Sequence, residues 1–95
     1  MHYQFNIRFT FLGILYKAEV KAYNFDGTVL YDVYYSLSDQ LFPVDIIQIY
    51  RGSVPGREKV YWRQRMAESA TNLKDPDFIN KIGKSIELDE DKEIR

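Results

Sequence analysis

The 95-residue chain contains no cysteine, and this absence removes several kinds of chemistry at once. Disulfide bonds, thiolate metal sites and a cysteine nucleophile are excluded, and the composition suits a reducing compartment. Histidine is almost as scarce, because His2 is the only one. A catalytic triad needs a well-placed base, which a single histidine near a chain terminus supplies poorly. We therefore expect a protein that is not an enzyme and that holds neither a metal nor another cofactor.

Long apolar runs are also missing. The longest, residues 11–16, is interrupted by Gly13 and lies between Arg8 and Lys17. It is too short for a membrane span or for the core of a secretory signal. The net charge of −1 gives no strong overall field that would attract nucleic acid or anionic lipid. These features predict a cytoplasmic protein that does not bind membranes.

Aromatic residues are the abundant class, at 16% of the chain. Aromatic side chains favour the pleated, half-buried surface of a β-sheet. The hydrophobic share of 45% and the charged share of 28% are typical of a globular domain. We assign residues 1–88 to a single α+β domain and residues 89–95 to an acidic, frayed C-terminal tail.

Alternation of apolar and polar residues predicts three strands in the first part of the chain. They cover residues 3–11, 15–25 and 28–37. Asp26 and Gly27 give a strong signal for a type I′ hairpin turn. A two-residue loop there places Lys21 opposite Asp32, which predicts a favourable cross-strand ion pair.

The first hairpin has two candidate turns. A turn at residues 12–13 would place Arg8 opposite Lys17. A turn at residues 13–14 has glycine at its first position, as type II′ requires, and places Arg8 opposite Glu19. The second arrangement avoids a pair of like charges, and we predict it.

The second half of the chain is patterned less strictly. Residues 44–50 are rich in β-branched side chains and predict a fourth strand, although their spacing also fits a helix, and residues 58–65 predict a fifth strand. Asp75 followed by Pro76 is typical of a helix start, and an apolar stripe follows it. Gly83 lowers the helix propensity, and we expect it to allow a close approach to the sheet.

Together these elements predict an α+β fold. We expect a mainly antiparallel five-stranded sheet, a meander of hairpins, with one C-terminal helix packed on one face. The alternative is a small half-open barrel capped by the helix.

The segment most suggestive of binding is residues 50–65, where cations alternate with aromatic rings. The candidate binding residues in it are Arg51, Arg57, Lys59, Tyr61, Arg63 and Arg65. Proteins that bind single-stranded nucleic acid use such cations for phosphates and such rings for bases. Protein–protein interfaces are enriched in the same residue types. Alternation along the strand places Trp62 on the opposite side from Arg63 and Arg65. Tyr61 is therefore the ring that we expect to stack on a base.

Two tyrosines form a second candidate surface. Tyr23 and Tyr34, with Leu15 and Leu30, fall on the sheet face that the alternation assigns to solvent. They fit ordinary exposed surface, the middle of a homodimer contact, or a shallow ligand groove.

No motif in the chain identifies a function. Our leading hypothesis is a small non-catalytic interaction module that binds a protein partner or its own copy. The alternative is a domain that binds single-stranded nucleic acid through residues 50–65. A small-ligand-binding protein or enzyme comes third, with a pocket beneath the helix lined by Tyr16, Tyr31 and Tyr35.

Overall fold

The computed structural model describes residues 3–41, 45–53, 60–65 and 74–93. Within them the chain forms β1 (Tyr3–Phe11), β2 (Ile14–Phe25), β3 (Thr28–Leu37), β4 (Asp45–Ser53), β5 (Val60–Gln64) and α1 (Pro76–Glu93). The strands are antiparallel neighbours in the order β1-β2-β3-β4-β5. Because β1 and β5 do not pair, the sheet is open. The predicted α+β class and sheet are confirmed, and the barrel alternative is wrong.

One face of the sheet, which we call the inner face, carries the hydrophobic core. Its strand residues pack with the apolar stripe of α1, and Val20, Val33, Ile49, Ile82 and Ile86 are completely buried. The helix packs against β1 and β5, the two edge strands. It therefore lies across the inner face and covers the apolar side chains that the alternation places there.

The helix begins where the sequence predicts. The Asp77 amide donates a hydrogen bond to the Asp75 side chain at 2.8 Å, so Asp75 is the N-cap and Pro76 is the first helical residue. At the other end α1 continues to Glu93 and includes residues 89–93, which the sequence analysis assigned to the tail.

Gly83 lets α1 approach β5 closely. A Cβ atom at this position would lie 2.0 Å from Cγ of Trp62. The indole Nε1 also donates to a carboxylate oxygen of Glu87 at 3.0 Å, and the Trp62 amide donates to Asn80 at 3.2 Å. The indole therefore occupies the space that any larger residue would need, which explains the glycine.

The segment at residues 44–50, whose spacing fits both a strand and a helix, is a strand in its described part. Residues 45–50 pair with β3, so the helical reading of residues 44–50 is wrong for the described part of that segment. β5 spans residues 60–64, and Arg65 follows it with its amide donating to the Gln48 carbonyl at 2.7 Å.

The β2–β3 hairpin has the predicted turn and register, but not the predicted ion pair. Lys21 stands opposite Asp32. Its ammonium group instead lies 3.9 Å from the Glu19 carboxylate and 5.0 Å from the centre of the Tyr34 ring. Asp32 accepts a hydrogen bond from the Tyr23 hydroxyl at 3.1 Å.

The β1–β2 hairpin departs from the prediction. Its turn is at Leu12 and Gly13, with φ values of 50° and 78°, and Arg8 stands opposite Lys17. Positive φ at both central positions defines a type I′ turn, which fits the strand twist as well as the predicted type II′ turn does. The carboxylate of Glu19, which the predicted register gave to Arg8, accepts a hydrogen bond from the Gln4 side chain at 2.6 Å. The prediction of a type II′ turn at residues 13–14, made from its leading glycine and from charge pairing, is wrong.

Candidate binding surface

The outer face of the sheet, opposite α1, has a buried centre of its own. The strand registers place Tyr23, Leu30, Tyr50 and Arg63 side by side in one row across β2 to β5. Leu30 is only 3% exposed, yet it lies outside the inner core cluster. Side chains on the outer face therefore cover Leu30, so part of this face is buried from solvent.

A hydrogen-bond network crosses the outer face beside this row. Asp32 on β3 accepts from the Tyr23 hydroxyl at 3.1 Å and from the Gln48 side-chain amide at 2.8 Å. The Gln48 side-chain amide group also contacts the Tyr23 hydroxyl. Its side-chain carbonyl oxygen accepts a hydrogen bond from the Arg65 guanidinium at 2.7 Å. Burial and the Asp32 carboxylate raise the pKa of Tyr23. Tyr23 thus stays a neutral hydrogen-bond donor, and Arg65 is held in one place.

Two arginines lie over aromatic rings at the same end of the sheet. The Arg65 guanidinium is 5.1 Å from the centre of the Phe25 ring, and the Arg63 guanidinium is 4.6 Å from that of Tyr61. The Tyr61 ring also lies against Gly52, where a Cβ atom would come within 2.9 Å of its Cε2. We call these six side chains the aromatic–arginine patch: Tyr23, Phe25, Tyr50, Tyr61, Arg63 and Arg65.

The structure divides the predicted segment 50–65 between the two faces. Arg51 lies on the inner side, with its guanidinium 5.0 Å from the centre of the Trp62 ring and its Nε 3.7 Å from Glu87. Trp62 is 4% exposed, as the alternation predicts for a core residue. Tyr61, Arg63 and Arg65 are together on the outer face. Arg57 and Lys59 lie outside the described residues.

The four residues of the predicted tyrosine surface do not form one cluster. Tyr23 and Leu30 share a row, and Leu30 is buried. Tyr34 lies four positions beyond Leu30 along β3, on the far side of Asp32, and pairs with Ile46. Leu15 is near the β1–β2 turn.

The tyrosines suggested for a pocket beneath the helix are packed against other rings. Tyr16 and Tyr35 meet Phe78 edge-on, with ring centres 5.5 and 5.3 Å apart, and Tyr31 meets Trp62 at 5.2 Å. Tyr31 and Tyr35 are buried, and burial raises the pKa of Tyr35. Their rings therefore fill this space and contribute to the core.

The outer face of the described strands is basic. It carries five cations, at Arg8, Lys17, Lys21, Arg63 and Arg65, and two carboxylates, at Glu19 and Asp32, a net charge of +3. The chain as a whole has a charge of −1. The net charge of the whole sequence therefore does not reveal the basic character of this face.

Several members of this surface were not predicted from the sequence. Asp32 and Gln48 organise the network, and Phe25 and Tyr50 extend the patch. The turn at residues 26–27 does place Tyr23 near Asp32, so that part could have been found. The contribution of β4 depends on its register with β3, for which the sequence has no turn signal.

Three further observations bear on function. Among the described residues, no group of three histidine, cysteine, aspartate or glutamate side chains could hold a metal ion. No helix in the described part of the chain is long and apolar enough to cross a bilayer. Comparison of the chain with known protein families, curated proteins and solved structures found no match.

Proposed function

We propose that this protein is a non-catalytic binding module that docks an acidic partner protein on the aromatic–arginine patch. The observation that most supports this proposal is the cluster of tyrosine, phenylalanine and arginine side chains around the buried Leu30. Tyrosine and arginine are among the residues that contribute most to protein–protein binding, and they act best near the centre of an interface.

The patch is ordered before any partner arrives. Tyr23 and Arg65 are fixed by the network through Gln48, and Arg63 is fixed over Tyr61. Ordering a flexible side chain on binding costs about 0.5–1.5 kcal/mol. Side chains that the free protein already holds avoid part of that cost, so the network favours binding.

The charge of the outer face favours a different, acidic protein over a second copy of the chain. Two copies meeting through this face would bring two net charges of +3 together. Like charges across an interface disfavour association, whereas an acidic surface is attracted and steered toward it. We therefore expect the isolated protein to sediment as a monomer at several hundred micromolar.

The test is affinity capture from a lysate followed by titration of the purified candidate partner. We expect Tyr50→Ala and Arg63→Ala each to weaken that binding at least tenfold, a change of about 1.4 kcal/mol or more. Lys84→Ala, on the exposed side of α1, is the matched control and should change the affinity less than twofold.

Circular dichroism first establishes that each variant is folded, so that a change in affinity is not an effect of unfolding. Unchanged affinity in both patch variants, or an equal loss in the helix control, would contradict docking on this face. A stable dimer of the wild type that Arg63→Ala dissociates would assign the patch to self-association instead.

Single-stranded nucleic acid is a second candidate, because the basic outer face includes Tyr61, Arg63 and Arg65. Base stacking is worth about 1–3 kcal/mol per ring, but the Tyr61 ring already contacts Arg63 and Gly52. A base would have to displace the arginine. Titration with oligo-dT and oligo-U in 50 mM salt tests this candidate: micromolar binding that Tyr61→Ala weakens would favour it over the protein partner.

A further inference from the structure

Two cations face each other at the end of the outer face away from the aromatic–arginine patch. Arg8 on β1 stands directly opposite Lys17 on β2. Counted from the two-residue turn, this is a non-hydrogen-bonded pair, in which the Cα atoms are only about 4.5 Å apart. Like charges in this position destabilise a sheet. Among the described residues neither cation forms an ion pair.

The hairpin forms with this like-charge pair although another register would avoid it. The turn at residues 13–14 would have placed Arg8 opposite Glu19. The turn that forms instead also holds Leu12, which is not glycine, at a φ of 50°. Two local preferences are therefore violated at one hairpin, and such violations are expected at functional or strained sites.

An open depression of about 660 Å³ adjoins the two cations. Ser36 stands opposite Lys17 in the β2–β3 register, so its side chain belongs to the same row as the cation pair. The Tyr34 ring, which has the Lys21 ammonium 5.0 Å from its centre, and the Leu41 side chain add apolar surface to the lining. Leu41 is 89% exposed, so its apolar surface is open to solvent.

Two carboxylates also line this depression, and their positions differ. Glu19 accepts a hydrogen bond from Gln4 at 2.6 Å and lies 3.9 Å from Lys21, so its charge is already balanced. Asp89 lines it from α1. Asp89 therefore opposes the binding of any anion here, and the attraction from Arg8 and Lys17 must outweigh its repulsion.

We propose that Arg8, Lys17 and Ser36 bind the phosphoryl group of a small phosphate ester, whose organic part lies on Tyr34 and Leu41. A phosphate monoester carries a charge of about −1.5 to −2 at pH 7, which matches two cations better than a single carboxylate does. Arginine adds two parallel hydrogen bonds to such a group, and a hydroxyl adds a third donor. This site goes beyond the proposed docking of a partner protein.

The first experiment titrates the full chain with inorganic phosphate, phenyl phosphate and benzoate at constant ionic strength, followed by amide chemical shifts. We expect both phosphates to bind with shifts centred on residues 8, 17 and 36, phenyl phosphate several-fold more tightly, and benzoate at least tenfold more weakly. Equal affinity of the two phosphates would overturn the ester and leave a free-phosphate site. Absence of binding by either would overturn the site.

Variants separate a ligand contact from a structural role. Lys17→Gln should weaken phenyl phosphate binding at least tenfold, whereas Lys84→Gln, with the same loss of charge, should change it less than twofold. Lys17→Glu replaces the like-charge pair by an opposite-charge pair, so it should raise the urea midpoint while abolishing binding. A lowered midpoint, or binding that survives Lys17→Gln, would overturn the assignment.

Asp89→Asn provides a test in the opposite direction. Removing the carboxylate on the α1 side should tighten phenyl phosphate binding severalfold. Asp77→Asn, in the first turn of the same helix, changes the net charge equally and should leave the affinity unchanged. Arg63→Ala should also leave it unchanged, so failure of partner docking and failure of the phosphate site are distinguishable. Equal effects of the two aspartate variants would contradict a local site.

Discussion

Leu12 is the residue with the least favourable local conformation in the first hairpin. It has a φ of 50° and its side chain is 84% exposed. The strained backbone is therefore not offset by burial of the side chain. A residue other than glycine in this region costs on the order of 1 kcal/mol, and asparagine tolerates the conformation best among the rest.

Leu12→Asn should therefore raise the free energy of unfolding by about 1 kcal/mol, measured from urea unfolding. Leu41→Asn is the control, because Leu41 is 89% exposed and its φ is not positive. It should leave the urea midpoint where it is. If both variants behaved alike, the turn strain would not be the cause.

Gly83 gives a prediction of opposite sign. In an exposed helix, replacing glycine by alanine stabilises by about 1 kcal/mol. Here the new Cβ would lie 2.0 Å from Cγ of the Trp62 indole, and overpacking of this kind costs about 1–3 kcal/mol or more. Gly83→Ala should lower the free energy of unfolding by about 1–2 kcal/mol net, whereas Lys84→Ala should leave it unchanged. A Gly83→Ala variant as stable as the wild type would contradict the close approach of α1 to β5.

At the scale of elements, one ion pair ties β4 to the residues that lead into α1. The Lys74 ammonium lies 2.8 Å from the Asp45 carboxylate, which also accepts a hydrogen bond from the Tyr35 hydroxyl at 3.4 Å. The Lys74 amide donates to the Gln64 side chain at 2.8 Å. The start of the helix is thereby connected to both β4 and β5.

This ion pair makes stability depend on pH in a defined way. The hydrogen bond from Lys74 holds the pKa of Asp45 below its usual range, so the stabilisation is present above the unfolded pKa of about 3.9 and is lost as pH falls through the lowered value. The hydrogen bond to Asp45 raises the pKa of Lys74, so its contribution is lost only as pH rises through that raised value. The stability gap between wild type and Asp45→Asn should be widest near neutral pH and should close toward both extremes. Urea midpoints from pH 2 to 11 measure it, and a gap independent of pH would contradict the ion pair.

The elements that the sequence predicts correctly are those with a local signal of their own. Strict alternation identifies β1 to β3, Asp26 with Gly27 fixes the second hairpin, and Asp75 with Pro76 marks the start of α1. The leading glycine and the charge pairing do not decide the first turn, because types I′ and II′ both match the strand twist and one cross-strand pair is worth only about 0.2–1 kcal/mol.

The candidate surface was less accessible to sequence reasoning, because it depends on which residues of β4 lie beside β3. No local signal gives that register, so Gln48 and Tyr50 could not be placed beside Asp32 and Leu30. The alternation within β5 did separate Trp62 from its neighbours, and the burial of Trp62 agrees. That the site residues bind anything stays a prediction.

At the scale of the whole molecule, charge is distributed unevenly. With +3 on the outer face of the strands and −1 in total, the remainder of the chain carries −4. An acidic ligand approaching the protein is therefore drawn toward the outer face of the sheet before contact. Because salt screens such steering, association with either proposed ligand should slow as ionic strength rises.

The position of α1 across both edge strands has a consequence for synthesis of the chain. Each strand pairs with the one made just before it, so the sheet can assemble in order on the ribosome. The cover of its inner face arrives last, since α1 follows all five strands. A nascent chain that has not yet exposed Pro76 presents the inner face, including Val33 and Ile49, to solvent. This interval, from the completion of β5 to the emergence of α1, is when the protein is most open to chaperone capture and to aggregation.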